Sequence, residues 1–106
     1  MFAMFRHQWV AYRYKRNDLN IIEKISAGTF EQIIEQYCSQ GWEKTDAFRP
    51  FDADSKKWSC KLRKGHQTLN CLWDRNKAGS ISGMSRIIGS MAEQFSLKVN
   101  QTPSKR

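Results

Sequence analysis

The chain has 106 residues, 40% of them hydrophobic and 12% aromatic, with a formal net charge of +8. That length fits one domain and leaves no room for two, and roughly 65% of the unfolded chain's surface can be buried at this size. No run of about 18 apolar residues occurs, which excludes a transmembrane helix, and three cysteines without C-x-x-C spacing argue for reduced thiols in a cytoplasm rather than a disulfide framework.

The opening MFAMFRHQWV lacks the long apolar stretch of a secretory signal. Trp9 to Arg16 then alternates: Val10, Tyr12 and Tyr14 stand between Ala11, Arg13 and Lys15, the period of a half-buried strand. Asn17-Asp18 reads as a turn. The segment LNIIEKIS is readable two ways. Leu19, Ile22 and Ile25 have helical spacing, while Ile21 and Ile25 fit an extended chain.

The following helix is predicted over Phe30 to Gln40. Thr29 is placed to cap its start, with Gln32 completing a capping box. Phe30, Ile33, Ile34, Tyr37 and Cys38 form one apolar stripe. Gly41 falls at the left-handed position past the C-terminus, and Trp42 falls where it can touch Tyr37. Trp42 to Phe51 reads as a strand with a bulge or an early exit, because Pro50 cannot donate to a central ladder. DADSKK is a loop. Its start resembles a calcium loop, but Lys57 and Arg63 occupy the positions that need Gly and Glu.

Gly65-His66 is a candidate type II′ turn. Folding the chain there pairs Lys64 with Gln67, Leu62 with Leu69, Cys60 with Cys71 and Trp58 with Trp73. The last three pairs are apolar on one face, and a slip of one residue would mismatch both faces. The two cysteines are then core residues, and His66 stands apart from them at the turn. A second hairpin follows through Asn76-Lys77-Ala78-Gly79, with Gly79 as the left-handed residue. Ile81 continues the core face and Gly83 ends the strand. Met84, Ile87, Ile88, Met91, Ala92 and Phe95 repeat at helical spacing, which predicts a second amphipathic helix over Met84 to Ser96.

These elements describe one α+β domain over residues 1–98 with a polar tail at 99–106. Its antiparallel sheet has four to five strands, with two helices on one face and the order β-α-β-β-β-β-α. The aromatic WVAYRY, the helix closing in QGWE (Gln40 to Glu43) and the basic KLRKG together resemble a group of small bacterial domains of unknown function. The likeness runs from about Trp9 to Lys64; the second hairpin and helix have no counterpart there. It supplies no catalytic residue.

No G-x-S-x-G, Walker A or H-E-x-x-H sequence occurs, and neither His7 nor His66 has an orienting carboxylate close in sequence. Metal and cofactor are not expected. The expectation is a binding domain that associates with itself or another protein, as a dimer or within a larger assembly. A nucleic-acid interface is the second reading. It would use the sheet face opposite the apolar ladder, with Trp9, Arg13, Lys15, Lys57, Lys61 and Arg63. A third candidate is an enzyme or binder of an anionic small molecule, with its anion site at Gly79, Ser80, Ser82, Gly83, Ser85 and Arg86, near a helix start.

Overall fold

The computed structural model describes residues 19–47 and 49–100. The strand expected over Trp9 to Arg16 lies outside them. In chain order the elements are β1 (Leu19–Ile25), α1 (Ala27–Ser39), β2 (Glu43–Thr45), β3 (Lys57–Lys64), β4 (Gln67–Asp74), β5 (Ala78–Met84), α2 (Ser85–Phe95) and β6 (Val99–Asn100). The described strands form one antiparallel sheet in the order β2-β3-β4-β5-β1-β6. The class is α+β as expected, with six strands among the described residues rather than four to five.

The extra strands sit where the sequence is least periodic. LNIIEKI is β1, and a bulge explains its mixed spacing. Ile22 pairs with Ile81 and Ile25 with Gly79, so β1 spends one more residue than β5 over the same span. Lys24 absorbs it with φ 58°. Ile22 and Ile25, three apart, therefore both enter the core. Val99 and Asn100, read from sequence as the start of the tail, pair with Ile22 and Ile21 as β6.

Helix α1 starts three residues before its expected start. Ser26 is the N-cap in an extended conformation, and its carbonyl accepts the first helical bond from the Phe30 N–H at 2.8 Å. Thr29 lies inside the first turn, where its Oγ1 accepts from Ser26 Oγ at 3.1 Å. The far end follows the expectation. Gly41 has φ 99°, the Gly41 N–H donates to Cys38 O, and the Trp42 N–H donates to Tyr37 O at 3.1 Å. The Tyr37 and Trp42 rings meet at 5.7 Å, completing a Schellman closure.

Strand β2 is much shorter than the expected Trp42–Phe51 strand. Asp46 turns left-handed at φ 57°, and the chain leaves the sheet.

The first hairpin has the expected register at all eight pairs, from Lys57 opposite Asp74 to Lys64 opposite Gln67. Gly65 has φ 64° and His66 does not have positive φ, the pattern of a type II′ turn. In the second hairpin the left-handed residue is Ala78, at φ 66°, and not Gly79. Gly79 instead lies in β5 opposite Trp73, with its α-carbon turned to the core. A left-handed alanine costs about 1–2 kcal/mol that glycine does not. Ala78→Gly is therefore expected to raise unfolding free energy by about 1 kcal/mol, read from urea melts; an unchanged or lower value would show that the turn is not strained.

Both helices lie on the face that carries Trp58, Cys60, Leu62, Leu69, Cys71, Trp73 and Ile81. Phe30, Ile33 and Ile34 of α1 and Ile88 and Met91 of α2 belong to the same buried cluster. At one end of it Phe30, Phe51, Trp58 and Trp73 form an aromatic group with centroid separations of 5.2–6.1 Å. The two indoles also fasten the β2–β3 connection. Trp58 Nε1 donates to Arg49 O at 2.9 Å and Trp73 Nε1 to Ala53 O at 3.1 Å, so neither N–H is buried without a partner.

Candidate functional site

The pleat that sends the indoles inward places Lys57, Ser59, Lys61 and Arg63 on the face opposite the helices, with Asn70 and Leu72 beside them. Ser80 and Ser82 continue that face on β5 and are half-buried. Ile21, toward β6, is buried. The accessible part of this face is thus its β3–β4 half.

Leu72 stands out there. It is 54% exposed in the middle of an interior strand, with Ser59 and Ser80 as its register partners on either side. It contributes to a half-open depression of about 1060 Å³ that runs over the end of the sheet. Four segments build the walls. Glu23 and Lys24 come from the β1 bulge, Arg49 from the β2–β3 connection, Lys57 from the start of β3, and Asp74, Asn76 and Lys77 from the β4–β5 turn. Backbone contacts hold these walls in place. Arg49 Nη2 donates to Lys57 O at 2.7 Å, and the Arg75 N–H donates to Lys56 O at 3.1 Å. The Asn76 N–H donates to Asp74 Oδ1 at 2.8 Å, tightening the β4–β5 turn.

Of the four β3 cations, Lys61 makes an ion pair, Lys57 and Arg63 stand in register beside a carboxylate, and Lys64 Nζ donates to Gln40 O at 3.0 Å. Lys57 is opposite Asp74, Arg63 is opposite Glu43, and Lys61 Nζ lies 3.7 Å from Asp46 Oδ2. Residues 19–100 hold 12 Lys and Arg against 9 Asp and Glu, which is only +3 of the chain's +8. The described face is therefore mixed in sign rather than uniformly basic. It also presents no aromatic ring for a base to stack on, since Trp58 and Trp73 face the helices. Of the residues expected for a nucleic-acid interface, Lys57, Lys61 and Arg63 do share one face, while Trp9, Arg13 and Lys15 lie outside the described residues.

The residues expected to bind an anion do not converge. Gly79 and Gly83 face the core, where a Cβ would meet Phe30 and Leu69 respectively, each at 2.5 Å. Ser80 and Ser82 point to the opposite face. Ser85 and Arg86 belong to α2, which starts without a side-chain cap.

Three thiols remain. Cys60 and Cys71 are register partners and buried, and Cys38 is half-buried on α1. Among the described residues no group of three or more His, Cys, Asp or Glu is arranged to hold a metal ion. Nor is any described helix long and apolar enough to cross a membrane. Burial raises the Tyr37 hydroxyl pKa. No family model, curated protein or solved structure matches the chain.

Sequence reasoning found the face but not the depression. Leu72 was legible as an outward residue from the hairpin register. Lys24, Arg49 and Lys77 come to it only through the bulge, the Arg49 bond to β3 and the second turn.

Proposed function

We infer that the chain is a non-catalytic binding domain of the cytoplasm, and that it recognises a second copy of itself through the face opposite its helices. Leu72 carries this reading: a leucine this exposed, seated between two serines on an interior strand, is an apolar contact without a cover among the described residues. The rim supports self-recognition in particular. It carries Lys24, Lys57 and Lys77 together with Glu23 and Asp74. In a two-fold interface the same patch meets itself, so a surface with both signs can set its cations against its partner's anions. The three free thiols fit a reducing compartment.

Catalysis has less to stand on. The polar groups around the depression are lysines, an arginine, an asparagine, serines and carboxylates, with no histidine or cysteine among them. The nucleic-acid reading would rest on a described face whose Lys61 already pairs with Asp46 and which exposes no aromatic ring among the described residues.

The test is sedimentation equilibrium of the full chain up to high micromolar concentration. Wild type is expected to reach dimer mass. Leu72→Glu, which places a carboxylate at the apolar contact while leaving the core side of β4 unchanged, is expected to be monomeric with an unaltered melting curve. A monomeric wild type across that range would end the self-association reading.

A further inference from the structure

Cys60 and Cys71 take no part in the surface described above, and their arrangement has a chemistry of its own. They are direct partners in the β3–β4 ladder, both as free thiols. Directly opposed residues on antiparallel strands have Cα atoms about 4.5–5.5 Å apart, inside the span that a disulfide bridges. The buried pairs on either side, Trp58–Trp73 and Leu62–Leu69, hold the ladder in that register. Directly opposed Cβ atoms lie about 4.5–5.5 Å apart and a disulfide spans about 3.5–4.5 Å between them, so a bond between the sulfurs requires the two strands to draw together slightly as the side chains rotate, and no new strand pairing.

We propose that Cys60 and Cys71 are an oxidation site, which a peroxide converts into a disulfide across the β3–β4 hairpin.

The two thiols are unequal, which assigns the first step. Hydrogen bonding with Cys71 pulls the Cys60 thiol below its usual range, and the Lys44 ammonium on neighbouring β2 acts in the same direction. Cys71 is pushed well above that range by its bond with Cys60 and by burial. Cys60 also sits on β3 where β2 leaves the strand edge unpaired, and it is assigned as the nucleophile. It attacks one peroxide oxygen; an S–O bond forms, the O–O bond breaks, and the departing hydroxide takes up a proton as water. The Cys71 sulfur then attacks the Cys60 sulfur. An S–S bond forms, the S–O bond breaks, and the Cys71 proton leaves with the hydroxyl group as a second water. Two thiols are oxidised and one peroxide is reduced to two waters.

Access is provided at the sheet edge. Strand β2 accompanies β3 only from Lys61 to Arg63, so the β3 backbone at Cys60 has no strand paired on that side. Both side chains are buried at rest, so the oxidant enters when this edge opens locally. Cys38 competes for the same oxidant. It is half-buried on α1 and near enough for its charge to act on Cys71.

The sequence makes the test direct. Trypsin places Cys38 in Ile25–Lys44, Cys60 in Trp58–Lys61 and Cys71 in Gly65–Arg75, three separate peptides. The full chain is treated with hydrogen peroxide, its remaining thiols are alkylated, and it is digested without reductant. The expected product is Trp58–Lys61 joined to Gly65–Arg75, two hydrogens lighter than the separate peptides, with free thiols falling from three to one. Cys38→Ser is expected to give the same joined species. A bridge to Cys38, oxidation of Cys38 with the other two still thiols, or three intact thiols after treatment would each overturn the proposal. None of these outcomes bears on self-association, because the pair lies on the opposite side of the sheet from Leu72.

Discussion

Phe30→Ala is expected to cost about 3–5 kcal/mol of folding free energy, the range for removing a large buried aromatic side chain. Phe30 is fully buried, and its ring is the point where α1, the β2–β3 connection and the β3–β4 hairpin meet. It lies 5.2 Å from Phe51, 5.7 Å from Trp73 and 6.1 Å from Trp58, centroid to centroid. Those contacts add about 0.5–1.5 kcal/mol per aromatic pair beyond the apolar area they bury. The cavity left by alanine cannot close easily. Trp58 and Trp73 are tied through their indole N–H groups to Arg49 O and Ala53 O, and moving either ring would break its bond. Against a total stability of roughly 5–15 kcal/mol for a domain, this loss should lower the melting temperature by more than about 12 °C. Urea unfolding followed by tryptophan fluorescence and by circular dichroism measures it. A loss below about 1 kcal/mol would mean that Phe30 is not a keystone of the packing.

The sequence was most informative where two local rules agreed. The β3–β4 register was readable because Gly65-His66 permits a two-residue turn and only one register puts Trp58, Cys60 and Leu62 against Trp73, Cys71 and Leu69. The end of α1 was readable because Gly41 supplies the positive φ and Trp42 the apolar contact that the closure needs. Where one residue breaks the period, the reading failed. Lys24 is an ordinary lysine in sequence, yet its left-handed backbone lets Ile22 and Ile25 share a face and makes a strand of a segment with helical spacing. Ala78 likewise occupies a position that glycine chemistry would assign to its neighbour Gly79. Two-residue β6 has no period to detect. The carboxylates beside the candidate face come to it for a tertiary reason. Asp46 reaches Lys61, and Glu43 comes into register with Arg63, only because β2 docks beside β3, a neighbour that spacing along the chain does not reveal. The depression around Leu72 is harder still, since its walls come from four separate segments.

Gly79→Ala is expected to destabilise the fold by about 1–3 kcal/mol through overpacking, and the same substitution should become nearly neutral once Phe30 is alanine. A Cβ on Gly79 would lie 2.5 Å from Phe30 Cδ1, 3.0 Å from Cγ and 3.1 Å from Cε1, so it meets the body of the ring and not its far edge. The ring has nowhere to retreat, because Phe51, Trp58 and Trp73 pack around it. The strand itself must shift, and Gly79 is held in the ladder opposite Trp73 on one side and Ile25 on the other. Removing the ring opens the space that the methyl group needs. The double-mutant cycle should then show a coupling of about 1–3 kcal/mol, as expected for residues in direct contact. Gly89→Ala serves as the control of sign. It lies in α2 with nothing within 4 Å of its would-be Cβ, so helix propensity should stabilise the protein by about 0.5–1 kcal/mol. If Gly79→Ala costs the same with and without Phe30, the close approach of β5 to α1 is not what requires glycine there.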